Sequence, residues 1–257
     1  MGDGETRIAA VTGASGGIGR ATAIALGGLG WTVALGARRV EQLEETAQLV
    51  AAAGGAPLAH ALDVTTPDSV DAFCDFVAKR AGGPIDVLVN NAGTAQPGAV
   101  HEMSDEDHRR IVLTNLLGPI LVTRRVVGAL RGAGAAGDIV SISSDATQHL
   151  RPSLTTYLAT KAGLEAFAHS LALECEGTRI RSSIVRVGPT ETGFAEGWDL
   201  ELFEEIIPRW NRLGIQRHFD TLPPDDVARA VVSVVTAPAR VWVPVVEVQP
   251  QPPTARS

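Results

Sequence analysis

Tyr157 is the single tyrosine of a 257-residue chain, and Lys161, one of only two lysines, follows it by four residues; the other lysine is Lys79. Four is the spacing that stacks side chains on one face of a helix. A phenol with an ordinary pKa of about 10 exchanges protons poorly at neutral pH, whereas an adjacent ammonium stabilises the phenolate and is expected to lower that value. The pair therefore reads as a proton-transfer unit, not as a core tyrosine beside a solvated lysine.

A second chemical group lies near the start of the chain. Thr12-Gly13-Ala14-Ser15-Gly16-Gly17-Ile18-Gly19 stands between an apolar run and a helical stretch. Missing β-carbons let such a backbone approach a pyrophosphate, and the helix N-terminus offers N–H donors. Gly13, Ser15, Gly16, Gly17, Ile18 and Gly19 are the expected contacts to a dinucleotide. About 20 residues further on, an acid normally takes the adenosine ribose hydroxyls. Here the strand ends Leu35-Gly36-Ala37-Arg38-Arg39, with Gly36 where the acid is expected. Guanidinium groups at Arg38 and Arg39 suit a 2′-phosphate, so the expected cofactor is NADP (NADPH), with NAD less suited.

These groups need a frame. Strands are expected at 8–11, 31–35, 58–62, 85–89, 138–142, 180–187 and 241–248, and helices at 21–29, 40–53, 67–80, 105–130 and 155–174. Such alternation predicts a single α/β domain over 1–257, a doubly wound parallel sheet of about seven strands with helices on both faces. The segment 194–219, with Trp198 and Trp210, interrupts the alternation on the ligand side and reads as a substrate lid. Phe194, Leu202, Phe203, Ile206 and Ile207 suit either a lid over a hydrophobic carbonyl compound or ordinary packing. A Pro/Gln-rich tail starts at 250.

Composition narrows the partners. Twenty-two basic against 29 acidic residues give a formal charge of −7, which disfavours nucleic acid and anionic membranes. No run is expected to approach the roughly 18 apolar residues of a membrane span. Two cysteines, Cys74 and Cys175, make no disulfide framework and fit a cytoplasmic setting. Six histidines show no ligand spacing, so no metal is expected; His149, between Ser144 and Tyr157, is the one that could face a substrate.

From residue 8 to about 248 the chain resembles the short-chain dehydrogenase/reductase family. The resemblance rests on Gly13, Gly17 and Gly19, on Asn90-Asn91-Ala92-Gly93 at a strand end, and on Tyr157 with Lys161. It implies a Rossmann-type fold and a catalytic set of Asn115, Ser144, Tyr157 and Lys161. It also implies that Asp63 and Val64 flank the adenine, that Asn91, Ala92 and Gly93 line the cofactor, and that Gly188, Thr190 and Thr192 hold the nicotinamide end. Val187 stands where the family usually has proline. The implied activity is hydride transfer between a carbonyl compound and a secondary alcohol, as in NADP-dependent carbonyl reductases, by a homodimer or homotetramer. A sugar-nucleotide epimerase or dehydratase on the same fold and a non-catalytic NADP-sensing regulator are the alternatives.

Overall fold

In a computed structural model the chain is described over residues 6–195, 198, 200–215 and 220–252. Phe219 and residues 253–257 of the tail lie outside the described residues, as do the side chains of Leu202 and Phe203.

The apolar run before the glycines forms β1 (Ile8–Thr12), and the glycine turn leads into α1 (Gly17–Gly27). Then follow β2 (Thr32–Ala37), α2 (Val40–Ala52), β3 (Ala56–Ala61), α3 (Pro67–Ala81) and β4 (Val87–Asn90). The second half runs α4 (Asp105–Val112), α5 (Gly118–Ala133), β5 (Gly137–Ser144), α6 (Thr155–Glu174), β6 (Ile180–Val187), α7 (Leu200–Arg212), α8 (Pro224–Val235) and β7 (Val245–Val248). All seven strands are parallel, in the order β3-β2-β1-β4-β5-β6-β7. This is the Rossmann-type fold.

Alternation along the buried strands sorts the core into two layers. Val11, Val33, Leu35, Val89 and Ile142 face α1, α2 and α8, whereas Ala10, Ala34, Leu88 and Ile139 face the apolar sides of α3, α5 and α6. The strand order reverses between β1 and β4, and the carboxyl ends of these strands open a crevice there, the place where doubly wound sheets take ligands.

Several sequence expectations are corrected. Helix α1 starts at Gly17, not residue 21, so the glycine motif is itself the first helical turn. The helix expected over 105–130 is broken by a π turn at Leu113–Leu117, where the Gly118 N–H bonds the Leu113 carbonyl. The whole stretch Asp105–Ala133 is long and apolar enough to cross a membrane by length and composition, but α5 packs Val122, Val126 and Leu130 into the core, and Arg125 pairs with Asp71 and Asp75. Finally, no helix was expected between 219 and 241, and β7 begins at Val245, not Val241. The signal for α8 was present: Pro224 in its first turn, Asp225 and Asp226 beside the helix N-terminus, and a buried stripe of Val227, Val231 and Val234. At roughly 1.5–3 kcal/mol per fully buried valine, that stripe outweighs the short length of the helix.

Candidate active site

A cleft of about 1050 Å³ runs across the carboxyl ends of the strands. Every residue expected from the sequence to act in catalysis or to contact the cofactor lines it except Gly19 and Asn115. Gly19 lies beneath the loop: a β-carbon there would stand 2.5 Å from Asn91 Nδ2 and collide with the Gly13 carbonyl. Gly17 has φ of +51°, a left-handed conformation that glycine adopts without penalty. No acid stands in the first turn of α1 and no side chain caps it, which leaves its N–H groups for an anion.

Thr12 and Asn91 brace the loop. Thr12 Oγ1 accepts from the N–H groups of Asn91 and Ala92, both at 3.0 Å, and Asn91 Nδ2 donates to the Thr12 carbonyl at 2.9 Å. The side chain of Asn91 is thus engaged in holding β1 to β4. At the adenosine end, Arg39 donates from Nε and Nη2 to Ser15 Oγ at 3.3 and 3.1 Å, which brings a guanidinium to the glycine loop. Arg20, not anticipated, lines the same wall and donates to the Ser15 carbonyl. Burial tends to raise the Asp63 carboxyl, but the Thr65 hydroxyl and N–H, and then Arg38, hold it below its ordinary value.

The ribose-acid position is corrected. Gly36 does not line the cleft, and a β-carbon there would meet Leu62 Cδ2 at 2.5 Å; Ala37, one residue on, is the position that lines it. Ala37 also carries no acid.

At the other end, β5 delivers Ser144, and the first two turns of α6 deliver Tyr157 and Lys161. The phenol is 9 % exposed; Lys161 is buried, donates from Nζ to the Ile142 carbonyl at 2.8 Å and stands 5.8 Å from the phenol ring centroid. The expected lowering of the phenol is reversed in this arrangement. Burial pushes Tyr157 up to about 12, with Asp145 adding to the rise, while a hydrogen bond to Ser144 and the charge of Arg151 oppose it. Burial brings Lys161 down to about 8 against the pull of Glu165. Desolvation acts on both groups, and the ammonium donates to a main-chain carbonyl.

Asn115 sits in the π turn, fully buried behind the cleft. Its Oδ1 accepts from the Thr94 N–H at 2.8 Å, and its Nδ2 donates to the Thr94 carbonyl at 2.7 Å and to Thr160 Oγ1 at 3.2 Å. Its amide fastens the loop after β4 to α6. π turns recur at functional sites, where the extra residue frees main-chain groups.

Two side-chain groups escaped the sequence reading. Glu165, one turn beyond Lys161, grips Arg186 through both oxygens and accepts from Ser143 at 2.6 Å and Thr147 at 3.0 Å, bracing the end of β5 against α6. Its spacing of four from Lys161 was the available signal. Asp145 and Arg151 form a bidentate pair at 2.8 and 2.7 Å, and both line the cleft beside the phenol. The loop that bears Arg151 includes Ser153 at φ +69°, held by a bond from the Gly98 N–H to its carbonyl. His149, which could have faced a substrate or plain solvent, is exposed and outside the cleft lining.

In the segment expected as a lid, Phe194 stands 5.6 Å from the Tyr157 ring and 5.9 Å from Trp198. Trp198, Ile207 and Trp210 line the cleft, while Ile206 and Trp210 are buried with Leu154 and Tyr157 in a small third core. Val187 continues β6 beside β7, and the Gly188 N–H bonds the Val248 carbonyl; Thr192 comes against Gly17 across the cleft mouth.

Residues 7–201 match the family described as short chain dehydrogenase. An uncharacterized oxidoreductase of Methylorubrum extorquens is 33% identical over 93% of this chain and 94% of its own. The 2,3-dihydro-2,3-dihydroxybenzoate dehydrogenase of Bacillus subtilis is 32% identical over 91% of each. Among solved structures, an alcohol dehydrogenase from the archaeon Thermococcus sibiricus complexed with 5-hydroxy-NADP has a TM-score of 0.80 at 30% identity, covering 95% of this chain and 96% of its own. A metagenomic short-chain oxidoreductase in complex with NADP has a TM-score of 0.78 at 31% identity, covering 96% and 98%. With the glycine-loop cleft, the Ser144, Tyr157 and Lys161 cluster and these matches together, the chain belongs to the short-chain dehydrogenase/reductase family and is an oxidoreductase of that family.

Proposed function

We propose that the protein is an NADP(H)-dependent oxidoreductase interconverting a carbonyl compound and a secondary alcohol, with Tyr157 as general acid and base. The observation that carries this reading is one cleft with the Ser144 hydroxyl, the buried phenol and the Lys161 ammonium at one end and Arg38 and Arg39 at the other. The names of the solved relatives, an alcohol dehydrogenase with 5-hydroxy-NADP and an oxidoreductase with NADP, favour the same cofactor and substrate group. When bound, the nicotinamide supplies a hydride to the carbonyl carbon or takes one from the alcohol carbon.

In reduction, Tyr157 gives its phenolic proton to the substrate oxygen, and Ser144 hydrogen-bonds that oxygen as charge develops on it. A phenol held up at about 12 is fully protonated at neutral pH and ready to donate. The phenolate left behind is stabilised by Lys161 and Arg151, and Lys161, at about 8, can itself pass a proton near working pH. Both ends of the Asn115 amide are engaged, so a proton relay at this position uses its main chain and a water.

Tyr157→Phe is expected to lower kcat by about 10²–10⁴-fold on a ketone and alcohol panel, followed at the nicotinamide absorbance band, with NADPH affinity unchanged. Residual turnover above a tenth of the parent's overturns the assignment.

We also propose a cytoplasmic homodimer or homotetramer joined through α4, α5 and α6. Val112, Leu113 and Leu117 are exposed there, next to a shallow apolar groove between Val100 and Ala159. Light scattering at micromolar concentration should exceed the 26.8 kDa of one chain; a monomer only is the contrary result.

A further inference from the structure

Among the described residues, the cations nearest the reacting end of the cleft are engaged by the protein itself. Arg151 gives Nη1 to Asp145 Oδ1 and Nη2 to Asp145 Oδ2, and its guanidinium stands 5.9 Å from the Trp210 ring centroid. Arg110 gives Nη1 to Thr94 Oγ1 at 2.8 Å and Nη2 to Asp107 at 2.7 Å. Lys161 donates to the Ile142 carbonyl. Arg20, Arg38 and Arg39 line the cleft by the glycine loop, the adenosine end.

We propose that the Asp145–Arg151 pair is a specificity determinant: closed on itself beside Tyr157, it makes the substrate wall electrically neutral and fits the site to an uncharged carbonyl compound or alcohol with an apolar body, against a carboxylate-bearing one. This inference rests on the oxidoreductase reading above, whose substrate class it names. The apolar body lies against Phe194, Trp198, Ile207 and Trp210, which line the cleft near the phenol.

Among the described residues, the anchor an anionic substrate would use beside Tyr157 is Arg151. To use it, the incoming carboxylate must either displace Asp145, whose own side chain is only 6 % exposed, or take the remaining N–H groups of a guanidinium whose charge Asp145 already balances. Either way two carboxylates stand together beside one cation, and they repel. Asp145 follows Ser144 directly and its Oδ1 lies 3.3 Å from Ser144 Oγ, so a negative charge on the substrate near the reacting oxygen also meets Asp145 through Ser144.

The test uses the whole protein and two shape-matched pairs. The first is 4-acetylbenzamide against 4-acetylbenzoate as ketone substrates with NADPH, read as kcat/KM. The second is benzamide against benzoate, titrated calorimetrically into protein saturated with NADP⁺, which needs no turnover. The expected result is a preference for the amide of at least about tenfold in both measurements. Asp145→Asn frees the Arg151 fork and should shift both ratios toward the carboxylate by about tenfold or more. The double variant Asp145→Asn with Arg151→Gln makes the wall neutral again and should restore the preference for the amide, which separates charge from a general loss of packing. Equal or tighter binding of benzoate by the parent, no detectable binding of benzamide, or an Asp145→Asn ratio that stays at the parent value overturns the proposal. Absence of turnover with the calorimetric preference and its shift intact counts against the oxidoreductase reading and supports this one.

Discussion

The two ends of the cleft are made of different material. The adenosine end is main chain: a loop with Gly17 in a left-handed conformation, the free N–H groups of α1, and two braces, Thr12 and Asn91, that hold β1 to β4. The reacting end is side chain, contributed by β5, the loop that carries Asp145 and Arg151, α6 and α7. A site built from backbone conformation tolerates few residue types at each position, whereas a site built from packed and paired side chains can change its substrate by changing them. The second end is therefore where substitutions can change the substrate.

A substitution confined to one end should leave the other unmoved, and the adenosine end gives the largest expected effect. Arg39 reaches the glycine loop through Ser15, and Arg38 acts on Asp63. Hydrogen bonds to charged groups contribute roughly 1.5–3 kcal/mol, so Arg39→Ala and Arg38→Ala are each expected to lower kcat/KM for NADPH by about tenfold to a hundredfold. NADH values should change by less than about twofold, and the KM of the ketone should hold. A parent that prefers NADH breaks the comparison at its first end.

Lys161 probes the reacting end through pH. Its pKa falls from an ordinary 10.5 to about 8 by burial, so between those values the unfolded chain binds the proton that the folded chain has released. Stability attributable to this group therefore rises as pH climbs from 8 toward 10.5, and its penalty is fully present below 8. Tyr157, raised to about 12, acts in the opposite sense above 10, and Cys74, raised to about 11, does so above 9. Comparison with Lys161→Met removes those two contributions. The stability of the parent relative to the variant, from urea unfolding, should increase by roughly 2 kcal/mol from pH 8 to pH 10. A flat difference would mean that the ammonium is better solvated than its burial implies.

The same division explains what was legible in the sequence. Gly13, Gly17 and Gly19 carry a conformational and steric requirement that shows in residue type alone, and the strand ends that hold Asn91 and Ser144 follow from apolar runs. The spacing of Tyr157 and Lys161 disclosed the pair but not its electrostatics, because burial is a property of the assembled layers and here outweighs the Ser144 hydrogen bond and the Arg151 charge that lower the phenol. Gly36 was mistaken for the ribose position because strand register decides which of two neighbours faces the cleft, and a shift of one residue inverts the face. The Asp145–Arg151 pair was missed because a separation of six is not a helical neighbour spacing and along a strand would hold the two about 20 Å apart. Only the loop geometry, in which the Gln148 and His149 N–H groups turn back onto the Asp145 carbonyl, brings the two together.

The smallest expected effect tests whether α7 serves the substrate end alone. Trp210 is 6 % exposed, donates from Nε1 to the Pro152 carbonyl at 3.0 Å, and carries the Arg151 guanidinium near its ring. It thus fastens α7 to the loop that carries Asp145 and Arg151. Trp210→Phe keeps an aromatic ring in the small third core but removes the N–H, and the loss of one hydrogen bond of this kind costs about 0.5–1.5 kcal/mol. Since α7 supplies Ile207 and Trp210 to the wall near the phenol, that cost should fall on substrate binding. The ketone KM should rise about two- to tenfold while kcat and NADPH affinity remain at parent values. Trp210→Ala, which also removes the ring, should raise KM further in the same direction. Loss of NADPH affinity in step with KM would show that the two ends are mechanically coupled through the loop after β5, and the contrast between them would then describe composition only, not independence of function.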